Sequence, residues 1–168
     1  QMIYEFCAEN VTLLEKAMQA GARRIELCDN LAVGGTTPSY GVTEAAVELA
    51  ANYDTTIMTM IRPRGGDFVY NDLEIAIMLE DIRLTAQAGS QGVVFGALTA
   101  DKELDKSNLE KLITASKGME IVFHMAFDEL SDEDQLEAID WLSQVGVTRI
   151  LTRAGVSGDS LEKRFAHY

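Results

Sequence analysis

Three groups of side chains in this 168-residue chain are of kinds that do chemistry. Arg62, Arg64 and Asp67 lie together in the segment I-R-P-R-G-G-D-F-V-Y over positions 61–70. Two guanidinium forks so close together suit a carboxylate or phosphate ligand. His124 is a proton-transfer group, and a carboxylate such as Asp128 or Glu26 would orient it. The third group is Cys7 and Cys28, whose sulfurs suit Cu(I), with His124 as a further ligand and Met60 or Met125 as weaker ones. Each group also has a structural reading. The arginines and Asp67 would brace a long loop, a buried cysteine is a small hydrophobe, and a histidine at a strand end serves its own backbone. The cysteines lack the paired C-x-x-C spacing of a strong metal site, and no P-loop, dinucleotide fingerprint or nucleophile elbow is present.

Elements must bring these residues together. The apolar run 57–61 reads as a buried strand, which Pro63 cannot extend. Asn71 with Glu74 three residues on is a capping box, opening a helix that shares Ile75, Met78, Leu79 and Ile82 on one face. The unit is therefore strand, charged loop, helix. The same grammar runs along the chain. A strand over 2–7 leads to Asn10 as N-cap of a helix over 11–19, closed by Gly21; a strand over 24–28 leads through a turn-rich loop to a helix over 42–51. Strands follow over 92–96, 121–125 and 148–152. Helices open at the Ser107–Glu110 capping box, closed by Gly118, and at Ser131, closed by Gly146; a last one begins over 159–168.

Alternating strands and helices imply βα units on a parallel sheet, since parallel neighbours need a crossover. Gly21, Gly89 and Gly146 each end a helix before a short loop and a strand, and aligning them sets Ile25, Val93 and Ile150 in register. Side chains alternate along a strand, so Ile25 and Leu27 meet the helices while Glu26 and Cys28 face the interior, as do Glu5 with Cys7 and Val122 with His124. A buried carboxylate needs a partner, so Glu5 and Glu26 call for cations such as Arg62 or Arg24, either as structural ion pairs or as functional groups. About six strands fall short of the eight of a closed barrel. A portion of a barrel and an open doubly wound sheet both remain. In either, the loops after the strands carry the site, and Arg62, Arg64, Asp67, His124, Asp128 and Arg153 fall there. If the barrel is partial, its first and last strands should each lack a partner on one side. The N-termini of the helices after Ser39 and Ser131 would add anion-binding groups.

Bulk composition is that of one globular domain, with 47% hydrophobic and 24% charged residues. A formal net charge of −13 argues against nucleic acid and anionic membrane as partners. The absence of a signal-like or membrane-spanning run and the scarcity of cysteine point to a cytoplasmic protein.

Glu5-Phe6-Cys7, Arg24-Ile25-Glu26-Leu27-Cys28, the Gly34-to-Gly41 loop, the 61–70 segment, Val94-Phe95-Gly96-Ala97-Leu98 and Phe123-His124-Met125-Ala126-Phe127-Asp128 together resemble the CutC family of copper homeostasis proteins. The resemblance runs the whole chain. It implies an α/β fold of the (β/α)8 TIM-barrel-like kind with about six βα units here, a single barrel domain over 1–168 that lacks a C-terminal portion, and a cytoplasmic protein. It also implies copper, as Cu(I), as the metal handled. Two departures stand out: Met125 replaces the family's usual Arg, and Arg153-Ala154 replaces a usual glycine-containing pair, so Arg153 would restore the lost cation. Cu(I) on Cys7 and Cys28, with His124, is the first functional reading. A small-molecule enzyme of lyase, isomerase or hydrolase type, holding an anionic substrate on Arg62 and Arg64 with Arg153 and Ser39 assisting, is the second. A homo-oligomeric scaffold without chemistry is the third.

Overall fold

The structure, a computed structural model, describes residues 5–152; Arg153 and the helix expected over 159–168 lie outside the described residues. Six strands, β1 (Glu5–Glu9), β2 (Arg24–Cys28), β3 (Thr56–Met60), β4 (Gly92–Phe95), β5 (Glu120–Phe123) and β6 (Arg149–Ile150), form one sheet in the order β1-β2-β3-β4-β5-β6. Every pairing is parallel. Among the described residues five helices make the crossovers: α1 (Leu14–Gln19), α2 (Tyr40–Ala50), α3 (Asp72–Gln87), α4 (Lys106–Ala115) and α5 (Asp132–Gln144). A doubly wound sheet would reverse direction part-way through its strand order. This one does not, and it curls into a partial (β/α) barrel. Among the described residues β1 and β6 are the sheet's two edges, yet Arg149 on β6 donates to the carboxylate of Glu5 on β1. No helix among the described residues is long and apolar enough to cross a membrane.

The expected alternation places the core in two layers. Ile25, Leu27, Ile57, Val93, Phe95, Ile121 and Phe123 are buried toward the helices, where they meet Leu14, Met18, Ala46, Ile75, Met78, Ile82, Leu109 and Leu142. Removing such side chains from water stabilises the fold by roughly 1.5–3 kcal/mol each, before the entropy of ordering the chain. On the other face Cys28, Met58, Met60, Val94 and Val122 make a smaller interior cluster, joined by Leu151. Beneath it the barrel floor is ionic. Arg24 bridges Glu5 at 3.3 Å and Glu120 at 3.4 Å, and Arg149 also reaches Glu5. Glu5 thus has the cations it requires, and neither is Arg62.

Several boundaries differ from the sequence expectation. Asn10 does not cap α1: it takes a positive φ of 56°, sends its N–H to the Cys28 carbonyl and its amide to Asp29, and so fastens the end of β1 to β2. The helix starts only at Leu14, after Leu13 in the left-handed region. α2 starts at Tyr40, two residues before the expected 42–51 span, with the Ser39 hydroxyl capping it by accepting the Val42 N–H. Asp105 caps α4, which places the Ser107–Glu110 box inside the first turn. The Asn71–Glu74 capping box and the Ser131 cap form as expected. β5 ends at Phe123, and a 3-10 turn (Met125–Glu129) begins after His124.

Candidate functional site

Arg62 lies two residues beyond β3 and is the best-buried cation among the described residues, only 5% exposed. Pro63 bars the strand from continuing, and carbonyls from the loop after β2 and from the 61–70 loop turn toward the guanidinium. Arg62 Nη1 donates to the carbonyls of Val33 (2.7 Å) and Gly35 (3.0 Å), and Nη2 to that of Gly66 (2.9 Å). Its backbone is clamped as well, the Arg62 N–H going to Thr37 Oγ1 and the Thr37 N–H to the Arg62 carbonyl. Gly35 is needed at its place: φ is +95°, and a Cβ there would stand 3.3 Å from the Cys28 sulfur. Among the described residues Arg62 has no carboxylate partner, and its Nε has no hydrogen-bond partner. The Tyr70 hydroxyl, buried and pushed up to about 12 by that burial against the pull of Arg62 and Arg64, lies near this cation but outside hydrogen-bond geometry.

His124 sits across the mouth, 3% exposed. Its Nδ1 accepts the Ala126 N–H at 3.1 Å, so a neutral ring carries its proton on Nε2, which is buried without a partner. Burial first, and the Arg62 charge second, hold this imidazole down to about 3. It is therefore a neutral donor at physiological pH. Phe68 bridges the two donors, with the Arg62 guanidinium 5.1 Å from its ring centroid and the His124 ring 4.9 Å away. Gly96, directly after β4, makes room for the imidazole, since a Cβ there would fall 2.6 Å from His124 Cε1.

Arg62, Phe68 and His124 line a cavity of about 680 Å³, closed on its inner side by Cys7, Glu26, Met60 and Leu151 and at its rim by Met125, Asp128 and Thr152. The volume is within the range of small-molecule sites. Glu26 is held up to about 7, first by burial and then by Glu5, with Arg149 opposing. Cys7 is pushed up to about 11 by burial and by Glu26, and Cys28 to about 12 by the same causes. Both are thiols at neutral pH, and Cys28 Sγ contacts the Ala8 carbonyl at 3.6 Å. Cys7 stands opposite Glu26 and Cys28 opposite Glu9, so the two sulfurs are diagonal neighbours on β1 and β2. Among the described residues no cluster of three or more His, Cys, Asp or Glu is arranged to hold a metal ion.

Of the remaining candidates, Arg64, Asp67 and Ser39 lie outside this cavity, while Asp128 stays at its rim. Arg64 turns away from the cavity to Glu74 and to Asp67 at 3.1 Å, joining the 61–70 loop to the α3 capping box. Ser39 is spent on its cap. Asp128 accepts from Thr152 Oγ1. Sequence reasoning missed Phe68 and the backbone cradle from Val33, Gly35 and Gly66; the aromatic residue within the charged segment is the one signal for the former.

The family model for the CutC family matches residues 2–164. The CutC family protein of Enterococcus faecalis is 54% identical over 166 residues, covering 99% of this chain and 79% of the relative, and that of Streptococcus pyogenes is 52% identical over 90% of this chain and 72% of its own. The solved structure of CutC from Streptococcus agalactiae superposes with a TM-score of 0.89 at 46% identity, covering 97% of this chain and 78% of that one. Phosphonopyruvate hydrolase, at 13% identity and a TM-score of 0.67, shares the fold alone. A match of that extent, on a partial barrel of the same fold, makes this chain a member of the CutC family.

Proposed function

We propose that the barrel mouth binds a small organic anion, with Arg62 supplying charge and His124 Nε2–H a second, neutral donor, as a small-molecule barrel enzyme would hold its substrate. The observation that carries this reading is Arg62 itself. A guanidinium buried to 5% exposure, whose hydrogen bonds go to backbone carbonyls and whose face meets the Phe68 ring, has no carboxylate partner among the described residues, and a bound oxyanion would offset its charge. Thermal unfolding with millimolar inorganic phosphate and a series of short carboxylates provides the test. Stabilisation of the wild type that disappears in Arg62→Gln supports the reading. A wild type that responds to no anion, or a folded Arg62→Gln that responds equally, overturns it.

The Cu(I) reading, with Cys7, Cys28 and His124 as ligands, draws support from the family and from Cys7, Met60 and His124 lining one cavity. It requires both thiols to ionise against burial and the Glu26 charge, and the His124 Nδ1 lone pair is already engaged. The anion reading asks for no such rearrangement. The unpaired cysteines fit a reducing compartment such as the cytoplasm.

A further inference from the structure

We propose that the ligand of this cavity carries an oxyanion at one end and a hydrogen-bond donor, a hydroxyl or an ammonium, at the other, the donor end being read by the carboxylate of Glu26. The inference rests on the anion reading above and adds the second pole of the site.

Glu26 differs from the other charges of the interior. Below it Glu5, Arg24, Glu120 and Arg149 are joined by ion pairs, whereas Glu26 has neither an ion pair nor a hydrogen bond from its side chain among the described residues. It projects from β2 between Cys7 on β1 and Met58 on β3, and it borders both the small cavity over the floor, about 70 Å³, and the large one at the mouth. The groups facing it are Glu5 and Cys7 from β1, Arg149 from β6, and Arg24 and Cys28 on its own strand; β3 and β4 offer Met58 and Val94, and β5 offers Val122 with Glu120 in the floor, held by Arg24.

The two poles are chemically complementary. Arg62 and His124 present donors only, each with a buried nitrogen left over, while an ionised Glu26 is an acceptor only. A ligand that ends in a donor satisfies the carboxylate. One that ends in a second carboxylate places like charges together in a poorly solvated interior, which the site would reject. Burial and Glu5 hold Glu26 up to about 7, so at pH 8 the acceptor is charged.

Isothermal titration of the full chain at pH 8 tests this with matched acids of four to six carbons whose far end is a methyl, a hydroxymethyl, an ammonium or a second carboxylate. The ammonium and hydroxymethyl acids should bind at least tenfold more tightly than the diacid. In Glu26→Gln, which keeps shape and removes charge, the diacid should gain, the ammonium acid should lose by a similar factor, and the methyl acid should be unchanged. An unaltered ranking in Glu26→Gln, or a diacid that binds the wild type as tightly as the ammonium acid, overturns the proposal and leaves the anion site standing. Binding of all four that survives in Arg62→Gln overturns the anion site instead, and no binding of any of the four counts against both.

Discussion

Replacing Glu26 by glutamine should reshape the pH dependence of stability, because the two buried titratable groups of the cavity act with opposite sign. Glu26 rises from 4.5 in an unstructured chain to about 7 in the fold. Its stability contribution is fully present below 4.5 and is lost as pH rises through 7, a difference of roughly 3 kcal/mol at most. His124 falls from 6.5 to about 3, so its contribution is complete above 6.5 and is lost as pH falls toward 3. Between 4.5 and 6.5 each changes stability by about 1.4 kcal/mol per pH unit, in opposite directions, and the two largely cancel. Glu26→Gln removes one slope and exposes the other. Urea unfolding of both proteins from pH 4.5 to 8.5 reads this directly, the slope m being expected to stay constant. The variant should gain on the wild type by about 3 kcal/mol between the two ends of that range. A stability difference independent of pH would show that Glu26 titrates normally and that the interior is better solvated than its geometry indicates.

The thiols offer a second check. Cys7, accessible but held up to about 11, should react with a disulfide reagent at pH 8 about tenfold more slowly than an unperturbed thiol, its lower thiolate fraction being partly offset by greater nucleophilicity, and buried Cys28 only on unfolding. A Cu(I) competition titration unaffected by Cys7→Ser with Cys28→Ser would remove both residues from any copper site. Gly96→Ala should cost about 1–3 kcal/mol and displace the His124 ring, visible as a changed imidazole chemical shift, because the new methyl would meet Cε1 at 2.6 Å. Ser39→Ala should cost about 1 kcal/mol as a lost helix cap and leave anion affinity unchanged; a loss of affinity would bring Ser39 back into the site.

The strand pattern was legible because period-2 burial leaves a trace that local chemistry rarely erases: Ile25 and Leu27 outward, Glu26 and Cys28 inward follow from alternation alone. Helix starts were less legible. Asn10 and Asp105 show why, since a short polar side chain serves equally as a cap or as a bridge between loops, and tertiary contacts decide which. At the site the arginines were evident but their division of labour was not. Arg62 and Arg64 are two residues apart, and only the path of the loop sends one inward to backbone carbonyls and the other outward to Glu74. That path depends on Val33, Gly35 and Gly66, which carry no charge pattern of their own.

The ion pair between Arg149 and Glu5 bears on how the chain folds. The partners are 144 residues apart, so bringing them together in an otherwise unorganised chain would cost on the order of 4 kcal/mol of closure entropy, whereas a pair this exposed returns at most about 1 kcal/mol. It cannot nucleate the curl. Adjacent βα units, whose contacts are local, must assemble first and bring the last strand round to the first, so that this contact forms after the rate-limiting step. Its loss would leave the folding rate nearly untouched and appear in the unfolding rate instead, making the Glu5–Arg149 clasp a determinant of how long the folded state lasts rather than of how quickly it is reached.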